Sequence, residues 1–206
     1  MRDSCYNQPM RKIPAFIALT LPFLLFASCA TSGRKEGRGD RRVIPVYITD
    51  SKAVTLLAPA CMDGILDELQ LFTGFFGEQS FSSLAYIQAD QGGIGITLLN
   101  EMGMDMGSLS YDGKSLSFSS PYFPKDVRAE YIVLDIQNAY YELPALASLY
   151  DMAGGLSFSC ELAGAKEIRR ILDGNSIIEE IVKDSDAVSI TNFLRGYRYE
   201  LRKVEE

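Results

Sequence analysis

Hydrophobic and polar residues alternate along most of this chain from residue 66 onward, and the alternation breaks only between two runs of strands. Val43 to Ile48 predicts a short strand. Residues 53–65 stay ambiguous, because Pro59 interrupts the apolar run and Asp63-Gly64 has the composition of a turn. From residue 66 the period is two, as in half-buried strands. Leu66 to Gly74 carries Leu69, Leu71 and Thr73 on one side. Ser80 to Gln88 sets Phe81, Ser83, Ala85 and Ile87 against Leu84 and Tyr86. A Gly-rich turn at residues 89–93 leads to strands Ile94 to Leu99 and Gly103 to Tyr111, then Asp112-Gly113 and Ser115 to Ser119. The spacing then becomes helical. Ala129, Ile132, Val133, Ile136, Ala139 and Tyr140 share one helix face, and Asp135 and Asn138 take the opposite side. Pro144 opens a second helix that ends at Gly154-Gly155. Five strands follow: Leu156 to Leu162, Lys166 to Leu172, Ile177 to Lys183, Ala187 to Phe193 and Tyr197 to Val204. This order of strands, helices and strands predicts a mainly β, α+β domain: one curved antiparallel sheet, or incomplete barrel, with two helices over its concave face.

The N-terminus follows another pattern. Arg2, Arg11 and Lys12 precede an uncharged stretch from Ile13 to Phe26, and Ala27, Ser28 and Cys29 follow it. The stretch is shorter than the roughly 20 apolar residues of a membrane-spanning helix, and Pro14 and Pro22 interrupt it. It reads as a cleaved signal over residues 1–28. Leu25 to Cys29 resembles the lipobox of bacterial lipoproteins, with Phe26 where leucine is usual. That resemblance implies acyl chains such as palmitate on Cys29. A multiply acylated cysteine is a lasting anchor, whereas one chain binds only marginally. The chain is thus expected in the cell envelope on the periplasmic side, and Ala30 after the cysteine favours the outer over the inner membrane. Residues 30–42 are Gly-rich, basic and aperiodic, so residues 29–42 form the lipidated cysteine and a flexible tether. Residues 43–206 form a single domain.

Charge narrows the function classes. Residues 43–206 hold 12 basic and 24 acidic side chains, a poor composition for binding nucleic acid, which relies on Lys and Arg. The chain has no histidine, which excludes Ser-His and Cys-His catalysis within it and histidine-based zinc sites. Gly92-Gly93-Ile94-Gly95 lies between strands and reads as a hairpin, not a phosphate loop. Asp67/Glu68 and Glu179/Glu180 are adjacent, so on a strand each pair points to opposite faces. No catalytic motif, metal site or cofactor is expected. Cys61 and Cys160 are two thiols in a disulfide-permissive compartment, and they are either bridged or two buried, inert groups.

The remaining signal is aromatic: eleven Phe, eleven Tyr and no Trp. Phe72, Phe75, Phe76, Tyr86, Tyr131, Tyr140 and Tyr141 cluster around the meander and the first helix. Phe72, Phe75, Tyr86, Tyr131, Tyr140 and Tyr141 are the candidates to line an apolar pocket, with tyrosine hydroxyls at its mouth. The alternative is plain core packing.

Several segments together carry a family resemblance: residues 56–60 (LLAPA), 100–103 (NEMG), 110–113 (SYDG), 130–137 (EYIVLDIQ) and 196–201 (GYRYEL). They resemble an uncharacterised family of bacterial lipoproteins, a domain of unknown function, itself similar to the LolA/LolB lipoprotein carriers and receptors. The resemblance covers roughly residues 54–204. It implies an incomplete antiparallel β-barrel with a helical lid and an apolar cavity. Tyr111, Asp112, Gly113, Asp135 and Gln137 carry its most specific motifs, and structural roles are expected for all five. The exposed loop leucine with which LolB aids membrane insertion has no match here. The expected function is to bind or transfer an acyl, lipid or lipoprotein ligand from a membrane anchor. The alternatives are an assembly lipoprotein that binds another envelope protein and, behind it, an envelope hydrolase.

Overall fold

The computed structural model describes residues 44–121 and 128–204. The signal, Cys29 and the tether expected over residues 29–42 lie outside the described residues. The described residues form one compact unit. Its first element is a small antiparallel pair, β1 (Pro45–Tyr47) and β2 (Ala53–Thr55). The ambiguous stretch after it contains a single turn of 3-10 helix, Pro59–Cys61, with Pro59 in its first turn.

Ten strands then make one antiparallel sheet. The N-terminal five are β3 (Leu66–Phe76), β4 (Gln79–Asp90), β5 (Gly93–Leu99), β6 (Asp105–Tyr111) and β7 (Leu116–Ser119). The C-terminal five are β8 (Leu156–Ala163), β9 (Lys166–Asp173), β10 (Ser176–Lys183), β11 (Ala187–Asn192) and β12 (Tyr197–Lys203). Each half is a meander, and β12 joins them by pairing with β3 from Tyr197–Phe76 to Lys203–Gln70. The sheet is open, with β7 and β8 as its edges. Chain order explains this: the two helices intervene between those strands. β3 and β4 run longer than their hydrophobic pattern suggests, because a tight turn with Gly77 at φ 59° extends the hairpin to Phe76–Gln79.

α1 (Ala129–Tyr140) and α2 (Leu143–Asp151) occupy the positions that spacing predicts. Their surroundings are a surprise. Every residue of α1 from Val133 to Ala139 is buried, including Asp135 and Asn138. The expectation that these two face away from the packed side is therefore corrected. A helix enclosed nearly all round loses its solvent face, and its polar residues must find partners inside. Among the described residues no helix is long and apolar enough to cross a membrane.

The core gathers the inward parity of each strand. Ala85, Ile87 and Ala89 on β4, Ile94 and Ile96 on β5, and Ile190 on β11 pack with Val133, Ile136 and Leu146 of the helices. Cys61 and Cys160 are not bridged to each other. Cys61 is buried at the 3-10 turn and Cys160 is exposed on edge strand β8, which corrects both the disulfide and the reading of two buried thiols.

Candidate functional site

A cavity of about 390 Å³ lies between α1 and the inner face of the sheet. Strand alternation builds most of its wall. β3 contributes Phe72 and Phe76, β4 contributes Ala85 and Ile87, and β5 contributes Ile96 and Leu98. β6 adds Leu109, β7 adds Phe118, and β12 adds Tyr197, Tyr199 and Leu201. The roof is one stripe of α1, with Arg128, Tyr131, Ile132, Asp135 and Ile136 at spacings of three and four. Its aromatic lining is connected: the Phe72 ring lies 5.4 Å from Tyr199 and the Phe76 ring 6.0 Å from Tyr197.

Of the six aromatic candidates, the structure brings two to the cavity, Phe72 and Tyr131. Phe75 and Tyr86 have the opposite strand parity and stand on the outer face. There the Arg198 guanidinium lies 4.5 Å above the Phe75 ring. The Tyr86 hydroxyl donates to Asp67 Oδ1 at 2.6 Å. Tyr140 packs under the Lys183 ammonium, 5.1 Å from its ring centre. Tyr141 is fully buried at the end of α1, bridged to Met62. These four are corrected from lining to surface or core positions. The residues missed were Phe118, Tyr197, Tyr199, Arg128 and Arg195. Alternation through Tyr197, Tyr199 and Leu201 was the available signal, and it gives the inner face of β12 directly.

The cavity's polar wall is a buried network that joins α1 to β10, β11 and β12. Asp135 accepts hydrogen bonds from the Tyr197 hydroxyl (2.9 Å to Oδ2) and the Tyr199 hydroxyl (3.1 Å). Glu179 accepts from the side-chain amides of Asn138 (2.9 Å) and Asn192 (3.1 Å). Asn138 in turn accepts from the Tyr150 hydroxyl at 2.8 Å. The two carboxyls are neighbours in the interior. Burial and the Glu179 charge hold Asp135 well above the ordinary carboxylate range, although the two tyrosine hydrogen bonds oppose the rise. Burial raises Glu179 as well, against the hydrogen bonds of Asn138 and Asn192. Both carboxyls are thereby shifted toward their protonated forms, Asp135 the more strongly. Most acceptor positions of this pair are taken by fixed protein donors, so it ties the helix to the sheet.

Arg195 follows β11 and reaches the same region. Its guanidinium donates to the Ile48 carbonyl at 3.0 Å, to the Tyr47 carbonyl, and to the Tyr131 hydroxyl at 2.9 Å. It lies 4.2 Å from the centre of the Tyr131 ring, a cation–π distance. Arg128, in contrast, is exposed and paired with Glu130 at 2.5 Å.

The remaining motif residues converge away from the cavity, on residues 57–59. Gln137 hydrogen-bonds both backbone groups of Leu57, and the Tyr111 hydroxyl donates to the Leu57 carbonyl at 3.0 Å. Burial, with the nearby Asp112 charge, pushes the Tyr111 hydroxyl up to about 12. Asp112 Oδ1 accepts from the amides of Lys114 (2.8 Å) and Ser115 (2.7 Å) and closes the turn. Gly113 sits at φ 86°, where a Cβ would approach Pro59 Cδ to 2.7 Å. Among the described residues no group of acidic or cysteine side chains could hold a metal ion.

The family model described as "Protein of unknown function (DUF3261)" matches residues 67–205, from β3 through the whole cavity wall to β12. No curated protein matches the chain.

Proposed function

The chain belongs to the DUF3261 family, whose description assigns no activity, and we propose that it is an envelope lipoprotein that binds the apolar chain of a lipid or lipoprotein under α1. The cavity of about 390 Å³ carries this reading. Protein interiors pack closely and leave few voids larger than a water molecule. A space of this size, walled by Phe, Ile and Leu side chains, falls in the range of ligand sites, about 300–1,000 Å³. An acyl chain in it would gain about 0.8 kcal/mol for each methylene removed from water. On this reading the open sheet and its two helices act as an incomplete barrel with a lid, as in the LolA/LolB carriers. Acyl chains on Cys29 and the basic tether of residues 30–42 would hold that lid near the membrane, with the outer membrane favoured. The role is carriage or reception of a ligand, not catalysis, and needs no cofactor and no nucleic acid.

The test is to purify the chain after overexpression in its membrane setting, extract it with organic solvent and identify co-purifying lipids by mass spectrometry. A stoichiometric acyl or polyene lipid is expected. Recovery of none, with no uptake of added fatty acyl probes, contradicts the proposal.

A further inference from the structure

The polar end of the cavity holds hydrogen-bond donors that its own acceptors do not use up. A guanidinium has five N–H groups, and Arg195 places three hydrogen bonds, on Tyr47, Ile48 and Tyr131. The Tyr131 hydroxyl accepts one of these, which leaves its own proton to give. Among the described residues no carboxylate forms an ion pair with Arg195. Glu179 acts on it only across the interior, and Arg128 is already matched by Glu130. The Tyr197 and Tyr199 protons are committed to Asp135. What faces the cavity at Arg195 and Tyr131 is therefore a cation with a neighbouring O–H donor, beside an apolar wall. Such a pair suits an anionic acceptor: an ammonium has no acceptor to offer, and a neutral ester accepts without the charge that strengthens the bond to a guanidinium.

We propose that the ligand is amphipathic with an anionic head, a carboxylate or a phosphate, seated on Arg195 and Tyr131 while its chain lies along Ile87, Ile96 and Leu98. This rests on the acyl-binding reading above. The head fixes which end of the ligand stays at the α1 N-terminal side, and the apolar wall is indifferent to chain identity.

Native mass spectrometry of the full chain in a non-ionic detergent separates the outcomes, with palmitate, hexadecyl phosphate and methyl palmitate added at equal concentration. One or both anions should load about tenfold better than the ester, as charge-assisted hydrogen bonds imply. Which anion loads better tells a fatty carboxylate from a phosphate head. Arg195→Gln should erase the preference, bringing the anion-to-ester loading ratio to about one. Arg195 also holds the backbone of β1, so Tyr131→Phe provides the decisive variant if Arg195→Gln does not fold. It keeps the ring under the guanidinium and should cut the anion-to-ester loading ratio about threefold to tenfold. Loading of neither palmitate nor hexadecyl phosphate above methyl palmitate by the unaltered chain overturns the head-group assignment and leaves the acyl reading standing. Loading of none of the three overturns both.

Discussion

Gln137 holds Leu57 by both of its backbone groups: its side-chain amide donates to the Leu57 carbonyl at 2.9 Å and its side-chain oxygen accepts from the Leu57 N–H at 3.0 Å. A buried glutamine thereby imitates a strand neighbour for a segment that has none. It fixes residues 57–59 between α1 and the β6–β7 turn, where Tyr111 and Gly113 meet the same segment. The helix that roofs the cavity is located from this side by Gln137 and from the other by Asp135, two residues earlier.

Gln137→Leu should therefore destabilise the domain by about 2–3 kcal/mol, because the Leu57 N–H loses its partner beside a buried side chain, while the Leu57 carbonyl keeps the Tyr111 hydroxyl. Tyr111→Phe should cost about 1 kcal/mol, since the Leu57 carbonyl keeps the Gln137 amide. Urea unfolding followed by circular dichroism measures both. Equal losses would mean that Gln137 does not satisfy Leu57 as described.

Gly113→Ala should cost more than Gly164→Ala. Both positions have positive φ, at 86° and 65°, which by itself costs a non-glycine residue about 1–2 kcal/mol. Only at residue 113 would the new methyl also meet Pro59 Cδ, whereas nothing lies within 4 Å at residue 164. Thermal melts of the two variants should separate, with Gly113→Ala melting lower.

The order of elements was legible because period two and period 3.6 are properties of short windows. Both helices and the meanders follow from it. The cavity was legible only in part, and the reason is parity. Phe72 and Phe75 look alike in composition, but an odd separation puts them on opposite faces of β3. The same rule sends Tyr86 outward and Tyr197 and Tyr199 inward. Asp135 and Asn138 read as the solvent side of α1 because spacing cannot show that a second layer covers that side. The Asp135–Glu179 pair is a long-range meeting. Glu179 does share parity with the fully buried Ile181. An acidic residue on an inward face, with Asn192 opposite it on β11, was the trace it left in the sequence.

The stability of the domain should fall as pH rises above about 3.8, more than that of a variant lacking the Asp135 carboxyl. Folding raises this carboxyl well above its ordinary value of 3.8. The folded chain then keeps a proton that the unfolded chain releases above that value. The site's contribution is full below about pH 3.8 and declines toward the folded-state value, by at most about 1.4 kcal/mol per pH unit. Asp135→Asn cannot ionise. Urea midpoints at several pH values between 4 and 8 should show the variant gaining on the unaltered chain as pH rises. A constant gap between them would contradict a protonated Asp135.

If the space under α1 takes an apolar chain, a bulky side chain placed in that space must exclude it. Leu98 lines the cavity, and Leu71 stands 40% exposed on the outer face of the same sheet. Leu98→Trp should occupy the volume from within and abolish loading of a fluorescent fatty acyl probe. Leu71→Trp should leave loading unchanged, with both variants folded by circular dichroism. Unchanged loading in Leu98→Trp would place the ligand elsewhere and remove the basis of the account.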